Sequence, residues 1–445
     1  MKLSEITATL RKIRVSPIKS LGQNFLHDQN LAHWIVDQAG IGPADFVVEI
    51  GPGLGALTEL LLKGGARVLA IEKDKRLADY LREKFRRRPV EIVRGDALKF
   101  DSRTLYARAK VKLIGNLPYY ISSQLLIKFL EYPSPIALWL LMLQKELAKR
   151  LVAQPGTSDY GALTLLLQLH HRIEYLRTVA ATVFLPKPEV DSGLVRITPR
   201  NPREIPACDY AVFQELVRRG FSQRRKQLGK LLREKVPNWD QVAAEVGLNG
   251  RARAEELSLE QWIGLTNQIA PIPAESPNNG LEEQFAVVDR EDRPQGAAPR
   301  GQVHANNLLH RAIHILVFNP VGEVFLQLRS RSKDRHPLCW DSSAAGHVNA
   351  GEDYDQTAKR ELSEELGILI PLEKVAKLPA SKRTGYEFIW LYRGRYAGEF
   401  RLNRSEIESG RFFQPELIDG WIKARPRDFA PGFVECWKIL REENR

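Results

Sequence analysis

The sequence predicts an α/β fold with a small all-helical part, followed by a separate α+β unit. Three observations lead to this prediction. Short apolar runs alternate with helical patterns over the first part, helical patterns alone fill residues 205–268, and new strand patterns begin after a proline-rich segment. Strands that alternate with helices are typical of a parallel, doubly wound sheet. The length of 445 residues allows about three folding units.

The strands of the predicted sheet follow one another in order. The apolar run FVVEI (46–50) precedes a glycine-rich turn, and the next segment, ALTELLLKGG, has helical spacing and ends in glycines. Three further strand patterns, separated by helical or loop segments, are RVLAIE, VEIVRGD and VKLIGN. Short apolar runs bounded by turns are the signal of buried strands, so this order favours a parallel sheet with helical crossovers.

The later patterns predict different elements. YAVFQELVRRGF, QLGKLLREK, WDQVAAEVG and SLEQWIGLTNQI each have helical spacing without an intervening strand. RAIHILVFN and GEVFLQLRS predict a hairpin around Asn319-Pro320, and a helix near 353–366 precedes the strand pattern YEFIWLYRGRY.

These patterns divide the chain into four parts. We expect an α/β domain over 1–204, a helical subdomain over 205–269, a linker over 270–282 and an α+β domain over 283–445. The linker contains APIPAESPNNG, with three prolines, two asparagines and one glycine but no apolar periodicity. Such a composition is typical of an interdomain connection.

Charge is distributed unevenly between the two halves. Residues 1–270 contain 41 Lys and Arg against 28 Asp and Glu, whereas residues 271–445 contain 25 against 26. With 43% hydrophobic and 27% charged residues, the chain can bury ordinary cores, which excludes a disordered protein. The basic excess therefore indicates a polyanion-binding module joined to a neutral one.

Cysteine usage and apolar runs indicate the compartment. Cys208, Cys339 and Cys436 form neither a disulfide framework nor a CxxC metal pattern, which favours a reducing compartment. The first residues show no signal peptide, and the longest apolar run, Ile136–Leu143, is far shorter than the ~20 residues that span a bilayer. We expect a cytoplasmic, monomeric protein without a membrane partner.

A glycine-rich turn follows the first predicted strand of the sheet. Gly51, Gly53 and Gly55 precede a helical pattern, and Glu72 ends the next strand, 21 residues after Gly51. Glycines at such a turn let the backbone approach a ligand closely, and the carboxylate is placed to bind ribose hydroxyls. Because the third glycine comes one position earlier than in the dinucleotide fingerprint, a nucleoside cofactor is favoured over a nicotinamide one.

Two further strand ends carry polar groups. Asp96 follows the third strand, where its carboxylate could hold an adenine amino group, and Asn116-Leu117-Pro118-Tyr119 ends the fourth. Alone, these would be a helix cap and a turn. Together with the glycine loop, the tetrapeptide resembles the signature of S-adenosylmethionine-dependent amino methyltransferases. Acceptors on an Asn side chain and a main-chain carbonyl can make an adenine N6 more nucleophilic, and Tyr119 can stack on the extruded base.

Over residues 1–268 the chain resembles the ribosomal RNA adenine dimethyltransferases of the small-subunit type. Six motifs occur in the family's order: KSLGQNFL (19–26), EIGPGLGALT, NLPYYISS, QKE with Arg150, VFLPKPEVDS (183–192) and FSQRRKQLGKLL (221–232). The resemblance implies a Rossmann-like sheet that binds S-adenosylmethionine. It also implies N6,N6-dimethylation of two adjacent adenines near the 3′ end of small-subunit ribosomal RNA, within a precursor of the small subunit.

The resemblance also assigns roles to individual residues. It implies cofactor contacts from seven residues: Asn24, Leu26, Gly51, Gly53, Glu72, Asp96 and Asn116. It implies catalytic roles for Asn116, Leu117, Pro118 and Tyr119, with Tyr119 and Phe184 enclosing the target adenine. A core position for Phe184 is the alternative.

Basic clusters independently favour an RNA partner. Arg224, Arg225 and Lys226 lie in the segment that resembles the family's RNA-binding helical region, and Arg86, Arg87 and Arg88 form another run. Such groups supply salt-dependent phosphate contacts. Two alternatives stay open: a relative that methylates large-subunit RNA, and a protein that acts chiefly as a ribosome assembly checkpoint.

A second constellation lies in the α+β part. Gly346, Glu352, Arg360, Glu361 and the residues up to Ile368 fit the Nudix box GX5EX7REUXEEXGU at every fixed position. Glu361, Glu364 and Glu365 would lie on one helix face, where three like charges are costly unless divalent cations neutralise them. The resemblance implies that Gly346 and these three glutamates bind Mg²⁺ or Mn²⁺, with Arg360 orienting Glu361, for hydrolysis of a diphosphate.

The flanking segments resemble the Nudix branch nearest to isopentenyl diphosphate isomerase. In that branch His304, His310, His347 and Glu387 fall near the positions of the isomerase metal site. Isomerases carry a cysteine directly before the Gly-His pair, and this chain has Ala345 there. Hydrolysis of a small diphosphate compound is therefore the prediction, with an isomerase-like enzyme and a binding or regulatory module as alternatives.

Overall fold

The computed structural model describes residues 1–18, 21–271 and 283–443, and the chain divides into two compact units, Met1–Pro271 and Ile272–Arg445. The predicted linker over 270–282 lies almost wholly outside the described residues, as do Lys19 and Ser20 of the KSLGQNFL motif, so the linker stays a prediction. Among the described helices, none combines the length and the apolar composition that crossing a membrane requires.

The described part of the first unit contains nine strands, seven of which form one sheet. The strands are β1 Phe25–Leu26, β2 Phe46–Ile50, β3 Arg67–Glu72, β4 Val90–Arg94, β5 Val111–Asn116, β6 Ile136–Gln144, β7 His171–Val179, β8 Phe184–Leu185 and β9 Ser192–Pro199. The sheet order is β4-β3-β2-β5-β6-β9-β7, and β1 pairs with β8 separately. The pairs among β2 to β6 are parallel, whereas β9 is antiparallel to both β6 and β7. The predicted α/β sheet is confirmed.

Helices surround this sheet and form the helical part of the unit. They are α1 Leu3–Lys12, α2 Gln29–Ala39, α3 Ala56–Lys63, α4 Lys75–Lys84, α5 Ser122–Phe129, α6 Lys145–Leu151, α7 Ala162–Gln168, α8 Tyr210–Gly220, α9 Leu228–Leu232, α10 Trp239–Glu245 and α11 Leu259–Ile269. Asp74 caps α4 by accepting from the backbone N–H of Arg76, which is why that helix begins directly after β3.

Alternate residues of the strands pack into two cores. Val47 and Val48 are both fully buried, yet they belong to hydrophobic clusters on opposite faces of the sheet. Full burial of one such side chain contributes about 1.5–3 kcal/mol, so a charged residue at either position would disrupt the sheet. Because β2, β3, β4 and β5 are parallel, their carboxyl ends meet at one edge, where the predicted site residues lie.

The helical part packs around its own core. Phe213, Leu216 and Trp262 are almost completely buried in it. A Cβ at Gly220 would lie 2.6 Å from the Trp262 ring, so α8 can pass the indole only because this residue is glycine. The basic triplet 224–226 forms a turn between α8 and α9. A 3-10 turn at Phe221–Gln223 ends the helical course before it.

The second unit is a mixed α+β domain, as predicted. Its strands are β10 Gln284–Val288, β11 Pro294–Pro299, β12 His310–Phe318, β13 Val324–Arg329, β14 Trp340–Asp341, β15 Ala344–His347, β16 Leu372–Leu378, β17 Glu387–Arg395 and β18 Ile407–Phe413. Its helices are α12 Arg300–Ala305, α13 Tyr354–Leu366, α14 Pro415–Ala424 and α15 Pro431–Glu443.

Strand β12 organises the centre of this unit. It pairs with β13 in the predicted hairpin, with Val317 opposite Phe325. It also runs antiparallel to β15 and parallel to β17, which places His310 opposite Glu387. The acidic helix α13 begins at its cap Asp353, whose side chain accepts from Gln356 N–H, and ends at Gly367, whose φ of 67° suits glycine.

Two candidate active sites

The glycine-rich loop of the first unit forms a ligand cradle between β2 and α3. Gly51, Gly53 and Gly55 all have positive φ, at 66°, 59° and 79°, a region that favours glycine. A Cβ at Gly53 would lie 3.0 Å from the Phe25 ring, so the loop and β1 are in close contact. The cavity beside this loop is also lined by Asn24, Glu72, Asp96 and Asn116, and the structure therefore brings these sequence-predicted residues together.

Glu72 is a buried carboxylate at the end of β3. It accepts hydrogen bonds from the backbone N–H groups of Gly53 at 3.2 Å and Asp74 at 2.8 Å. Burial raises the pKa of Glu72 to about 7, although these bonds favour the ionised form. The side chain thus joins the glycine loop to the next strand and presents a carboxylate toward the cavity.

Glu49 is a second buried carboxylate that the sequence analysis did not assign. It lies in β2 directly before the loop and lines a neighbouring small cavity that also contacts Asn116 and Leu26. The Thr58 hydroxyl donates to it at 2.6 Å, and burial raises the pKa of Glu49 to about 7. An acidic residue inside an otherwise apolar strand was the available sequence signal.

Asp96 lies at the cavity wall after β4 and has a partner that was also missed. Lys73 Nζ lies 2.8 Å from its carboxylate, and Leu98 N–H donates to the same side chain at 3.0 Å. The hydrogen bond from Lys73 lowers the pKa of Asp96, so this carboxylate is ionised at neutral pH. A ligand amino group that reaches Asp96 must share it with Lys73.

The Asn116 amide is held in one orientation. Its Nδ2 donates to the backbone carbonyl of Asn24 at 3.2 Å, and among the described residues its Oδ1 accepts no hydrogen bond. The Pro118 carbonyl already accepts from Ile121 N–H at 3.2 Å and the Ser122 hydroxyl at 2.9 Å. Consequently the free acceptors of this segment are the Asn116 side chain and the carbonyl of Leu117.

The two aromatic residues assigned to the adenine differ in exposure. Tyr119 is half-buried, and its hydroxyl lies 2.7 Å from the Ser192 hydroxyl. Phe184 is only 3% exposed and packs in the hydrophobic core beside Leu26, its partner across β1 and β8. Phe184 therefore offers no open ring face here, and its contact with a base stays a prediction that needs this side chain to be uncovered.

The basic turn 224–226 has two kinds of cation. Arg224 donates to the Glu255 carboxylate at 3.1 Å and to the Tyr160 carbonyl at 3.2 Å. Arg225 and Lys226 are exposed and, among the described residues, form no salt bridge. Two of the three predicted RNA contacts are therefore available without breaking an existing pair.

In the second unit, α13 places three glutamates together. Glu365 is buried, the Glu361 side chain is 14% exposed, the Glu364 side chain is 55% exposed, and all three line one cavity with Gly346. Burial raises the pKa of Glu361, and the charge of Glu365 raises it further. Burial likewise raises the pKa of Glu365, against the opposing charge of Lys333. These carboxylates resist ionising together in the absence of a cation.

Arg360 ties the acidic cluster together. Its guanidinium donates to Glu361 at 2.9 Å, to Glu364 at 3.0 Å and to both oxygens of Glu352 at 3.0 and 3.1 Å. The Thr357 hydroxyl also donates to Glu352 at 2.8 Å. The box residues Glu352 and Arg360 thus fix the position of the Glu361 carboxylate.

Strand β15 completes this site. Ala345 N–H donates to Glu365 at 3.1 Å, and Gln327 donates to the same carboxylate oxygen at 3.1 Å. A Cβ at Gly346 would lie 2.0 Å from Glu361 Oε1, so only glycine lets the carboxylate reach the strand. Gln327 and Lys333 are contributors that the sequence analysis missed, because they come from the β13 region outside the box.

Four further ligand-type residues converge beside β15. One ligand atom from each of His304, His310, His347 and Glu387 lies within 4.8 Å of the others. His310 Nδ1 is 2.8 Å from the Leu308 carbonyl, which assigns the hydrogen to Nδ1 and leaves the Nε2 lone pair free. Among the described residues, the buried Nε2 atoms of His304 and His310 have no hydrogen-bond partner.

Comparison with known proteins places both units. Residues 16–271 match the family described as ribosomal RNA adenine dimethylase, and residues 308–433 match the NUDIX domain. A Bacillus cytotoxicus protein named ribosomal RNA small subunit methyltransferase A is 39% identical over 266 residues, covering 57% of this chain and 91% of that protein. The Bacillus mycoides protein of the same name is 39% identical over 264 residues, covering 56% and 90%.

Solved structures resemble each unit separately. A Plasmodium falciparum dimethyladenosine transferase is 25% identical with a TM-score of 0.47, covering 55% of this chain and 97% of that one. A MutT protein from Methanosarcina mazei is 20% identical with a TM-score of 0.27, covering 30% and 94%. From the family matches, the chain belongs to the ribosomal RNA adenine dimethylase family, whose members are S-adenosylmethionine-dependent methyltransferases, and carries a Nudix hydrolase domain in its second unit.

Proposed function

We propose that the first unit dimethylates N6 of two adjacent adenines near the 3′ end of small-subunit ribosomal RNA. The names of its Bacillus relatives, which cover it almost completely, support the small-subunit target. The geometry of Asn116 carries the chemical part of the proposal. Its amide nitrogen is anchored on Asn24, so the amide oxygen faces the cavity with its acceptor capacity unused.

The residues of this cavity fit S-adenosylmethionine. Glu72 would accept from the ribose hydroxyls, Asp96 would accept from the adenine amine, and the glycine loop permits close backbone contact. When bound, S-adenosylmethionine supplies an electrophilic methyl group. Family membership makes this cofactor the expected one, and the individual contacts are part of the proposal.

Two acceptors would then activate the target amine. The Asn116 Oδ1 and the Leu117 carbonyl would each accept one N–H from the adenine N6, which localises its lone pair on nitrogen. The following Pro118 restricts the backbone and so fixes the direction of the Leu117 carbonyl. Tyr119 would stack on the extruded base, with its hydroxyl held by Ser192.

Methylation of defined particles tests this function. The full chain is incubated with labelled S-adenosylmethionine and small-subunit particles that lack these modifications, and the modified nucleotides are located by mass spectrometry. We expect two adjacent dimethylated adenines near the 3′ end. Modification of naked large-subunit RNA in their place would favour the alternative relative and contradict the proposal.

For the second unit, the proposal is Mg²⁺- or Mn²⁺-dependent hydrolysis of a diphosphate compound. The buried pair Glu361 and Glu365 fits a divalent ion, because such an ion removes the mutual repulsion that opposes their ionisation. Glu361, Glu364, Glu365 and the carbonyl of Gly346 would hold it. When bound, the ion would polarise a phosphoryl oxygen of the substrate and activate a water, while Arg360 keeps Glu361 in place.

The histidine cluster fits a second ion of another type. Three imidazoles and one carboxylate form a donor set that suits Zn²⁺, Mn²⁺ or Fe²⁺ better than Mg²⁺. This cluster is the specific observation that keeps an isomerase-like activity as the second candidate. Against it, the strand position before the Gly346-His347 pair is Ala345, which has no ionisable group.

One experiment separates the two candidates. The full chain is supplied with Mg²⁺ or Mn²⁺ and a panel of diphosphate compounds, and phosphate-containing products are measured. In parallel, isopentenyl diphosphate in D₂O is followed by NMR. We expect hydrolysis of at least one compound and no deuterium exchange. Exchange catalysed by the chain would establish the isomerase-like alternative.

A further inference from the structure

A cavity of about 350 Å³ adjoins the acidic cluster in the second unit. It shares five lining residues with the cavity of the box carboxylates: Arg300, Arg329, Ala345, Gly346 and His347. The two cavities therefore adjoin at β15, and a ligand bound beside the carboxylates would border this space.

The lining of this cavity, called the anion cavity below, has more cations than carboxylates. Its five cations are Arg300, Arg329, Arg335, Lys382 and Arg383, and its two carboxylates are Asp341 and Glu387. Asp341 is already paired with Arg329 at 3.0 Å, and Glu387 contacts His347 at 3.2 Å. Both negative charges are thus engaged within the wall, and the positive charge facing the space is in excess.

Three of these cations have no carboxylate partner. Arg335, Lys382 and Arg383 form no salt bridge with any residue in the described ranges 1–18, 21–271 and 283–443. Arg335 only approaches the His304 carbonyl, at 3.5 Å. The Nε atoms of Arg300 and Arg329 are buried and, within the same ranges, also lack a hydrogen-bond acceptor. An anionic ligand in this space could accept from the side chains of Arg335, Lys382 and Arg383, which have no carboxylate partner there.

An ordered turn presents Lys382 and Arg383. Thr384 is buried, accepts from Ser381 N–H at 2.8 Å and donates to the Glu387 carbonyl at 2.9 Å. Gly385 has a φ of 70°, which lets the chain turn sharply into β17. The two cations therefore extend from a fixed backbone, which lowers the entropic cost of binding with them.

The lining of this space has few Phe, Tyr or Trp rings. Among the described residues that line it, Tyr386 is the only Phe, Tyr or Trp, so a base has little to stack on. The apolar residues that line it include Ala312, Ile313, Ala430 and Pro431. Burying a hydrocarbon chain against unpaired guanidinium groups would cost desolvation without compensation.

We propose that this cavity binds a second phosphate group of the substrate, so that the enzyme acts on diphosphates that carry a further phosphate elsewhere on the molecule. The inference rests on the proposed hydrolase function and names its substrate class. Arg335, Lys382 and Arg383 contact the second phosphate and act as specificity-determining residues, whereas the carboxylates of α13 serve the scissile diphosphate.

Binding to the full chain carrying Glu361→Gln tests this, because that variant stops turnover. ADP is compared with adenosine 3′-phosphate 5′-diphosphate, which differs by one phosphate, by calorimetric titration with Mg²⁺ present. We expect the second compound to bind about tenfold more tightly. The double variant Lys382→Ala/Arg383→Ala should reduce this preference to within about twofold. Lys438→Ala, which removes a surface cation paired with Glu435, should leave it unchanged.

The outcomes separate this inference from the proposed hydrolysis. Equal affinity for the two compounds, or a preference that survives in the double variant, overturns the second-phosphate site. Turnover is measured in parallel with the chain of natural sequence. A binding preference without turnover of any diphosphate would support the anion cavity and refute the hydrolase, whereas turnover without preference would do the reverse.

Discussion

The glutamates with raised pKa values have different hydrogen-bond donors and charged neighbours in the two units. Glu72 in the first unit and Glu361 and Glu365 in the second all have a pKa raised first of all by burial. Glu72 accepts two backbone N–H groups, which stabilise its charge. Glu361 instead has Glu365 as a charged neighbour and accepts from Arg360, which Glu352 and Glu364 share.

This difference distinguishes a carboxylate that accepts from a ligand from a pair of carboxylates, Glu361 and Glu365, that would bind an ion. A carboxylate satisfied by fixed backbone donors can ionise alone and offer its remaining lone pairs to hydroxyl groups of a ligand. Two buried carboxylates that repel each other cannot both ionise cheaply until a cation joins them. The surroundings of a glutamate, more than its burial, therefore indicate which chemistry it serves.

The largest effect on activity is expected for the Asn116 amide in the first unit. Asn116→Ala removes the acceptor for the adenine N6, so methyl transfer should fall by about 10³-fold, a loss typical of a missing transition-state contact. Cofactor affinity should change little. Asn201→Ala, which alters a cap far along the chain, is the matched control for methylation rate. Near-normal turnover by Asn116→Ala would refute the mechanism.

The next largest effect is expected for Glu365→Gln, which removes one of the proposed metal ligands. The neutral amide keeps the size of the side chain but removes one ligand charge, so hydrolysis should fall at least about 100-fold at fixed Mg²⁺. Methyl transfer should be unaffected. Glu373→Gln, on β16 and paired with Arg393, provides a control for the loss of one carboxylate. Unchanged hydrolysis would show that Glu365 does not hold the ion.

The pH dependence of stability tests whether Mg²⁺ binds Glu361 and Glu365. The folded-state pKa values of Glu361 and Glu365 lie above their ordinary values, so their ionisation removes stability as pH rises from about 4.5 through the raised values. Mg²⁺ binds the ionised pair and reverses this loss. Addition of Mg²⁺ should raise the melting temperature by about 5 °C at pH 8.5 and much less at pH 6.

Two variants show which glutamates cause this shift. The stabilisation by Mg²⁺ should disappear in Glu365→Gln and persist in Glu72→Gln, because Glu72 belongs to the first unit and is not among the proposed Mg²⁺ ligands. Differential scanning fluorimetry at both pH values measures it. An equal Mg²⁺ effect at pH 6 and pH 8.5 would contradict the assignment of the ion to these carboxylates.

The smallest expected effect concerns the basic turn. The double variant Arg225→Glu/Lys226→Glu should weaken RNA binding and make the slope of log affinity against log salt shallower by about one to two units. Fewer phosphate contacts form, so fewer counterions are released on binding. Arg224→Glu should also disturb the bond to Glu255, so it is the less clean variant. An unchanged slope would place the RNA contacts elsewhere.

Local patterns predicted the elements of the fold well. The helix near 353–366 is Tyr354–Leu366, and the hairpin around Asn319-Pro320 has its expected pairing. These features depend on caps, periodicity and turns, which are encoded within a few residues. The six motifs of the first unit also led to the family that the comparison establishes.

Contacts between distant segments could not be predicted in this way. Glu387 lies opposite His310 because β17 runs parallel to β12. No local pattern specifies this pairing across more than 70 residues, and only the resemblance to the isomerase branch grouped the two residues. Lys73 at Asp96 and Gln327 at Glu365 depend on the same kind of packing. For Phe184 the sequence left a base contact and a core position open, and the packing against Leu26 gives the core position.

The tight packing at Gly346 has an evolutionary consequence for the second unit. Its missing side chain is what allows the Glu361 carboxylate to touch β15, and a methyl group there would collide with that carboxylate. A single nucleotide change turns a glycine codon into an alanine codon. The residues of the neighbouring cavity, among them Lys382 and Arg383, would be unchanged by such a mutation. One mutation would therefore disturb the acidic cluster and leave the rest of the lining in place.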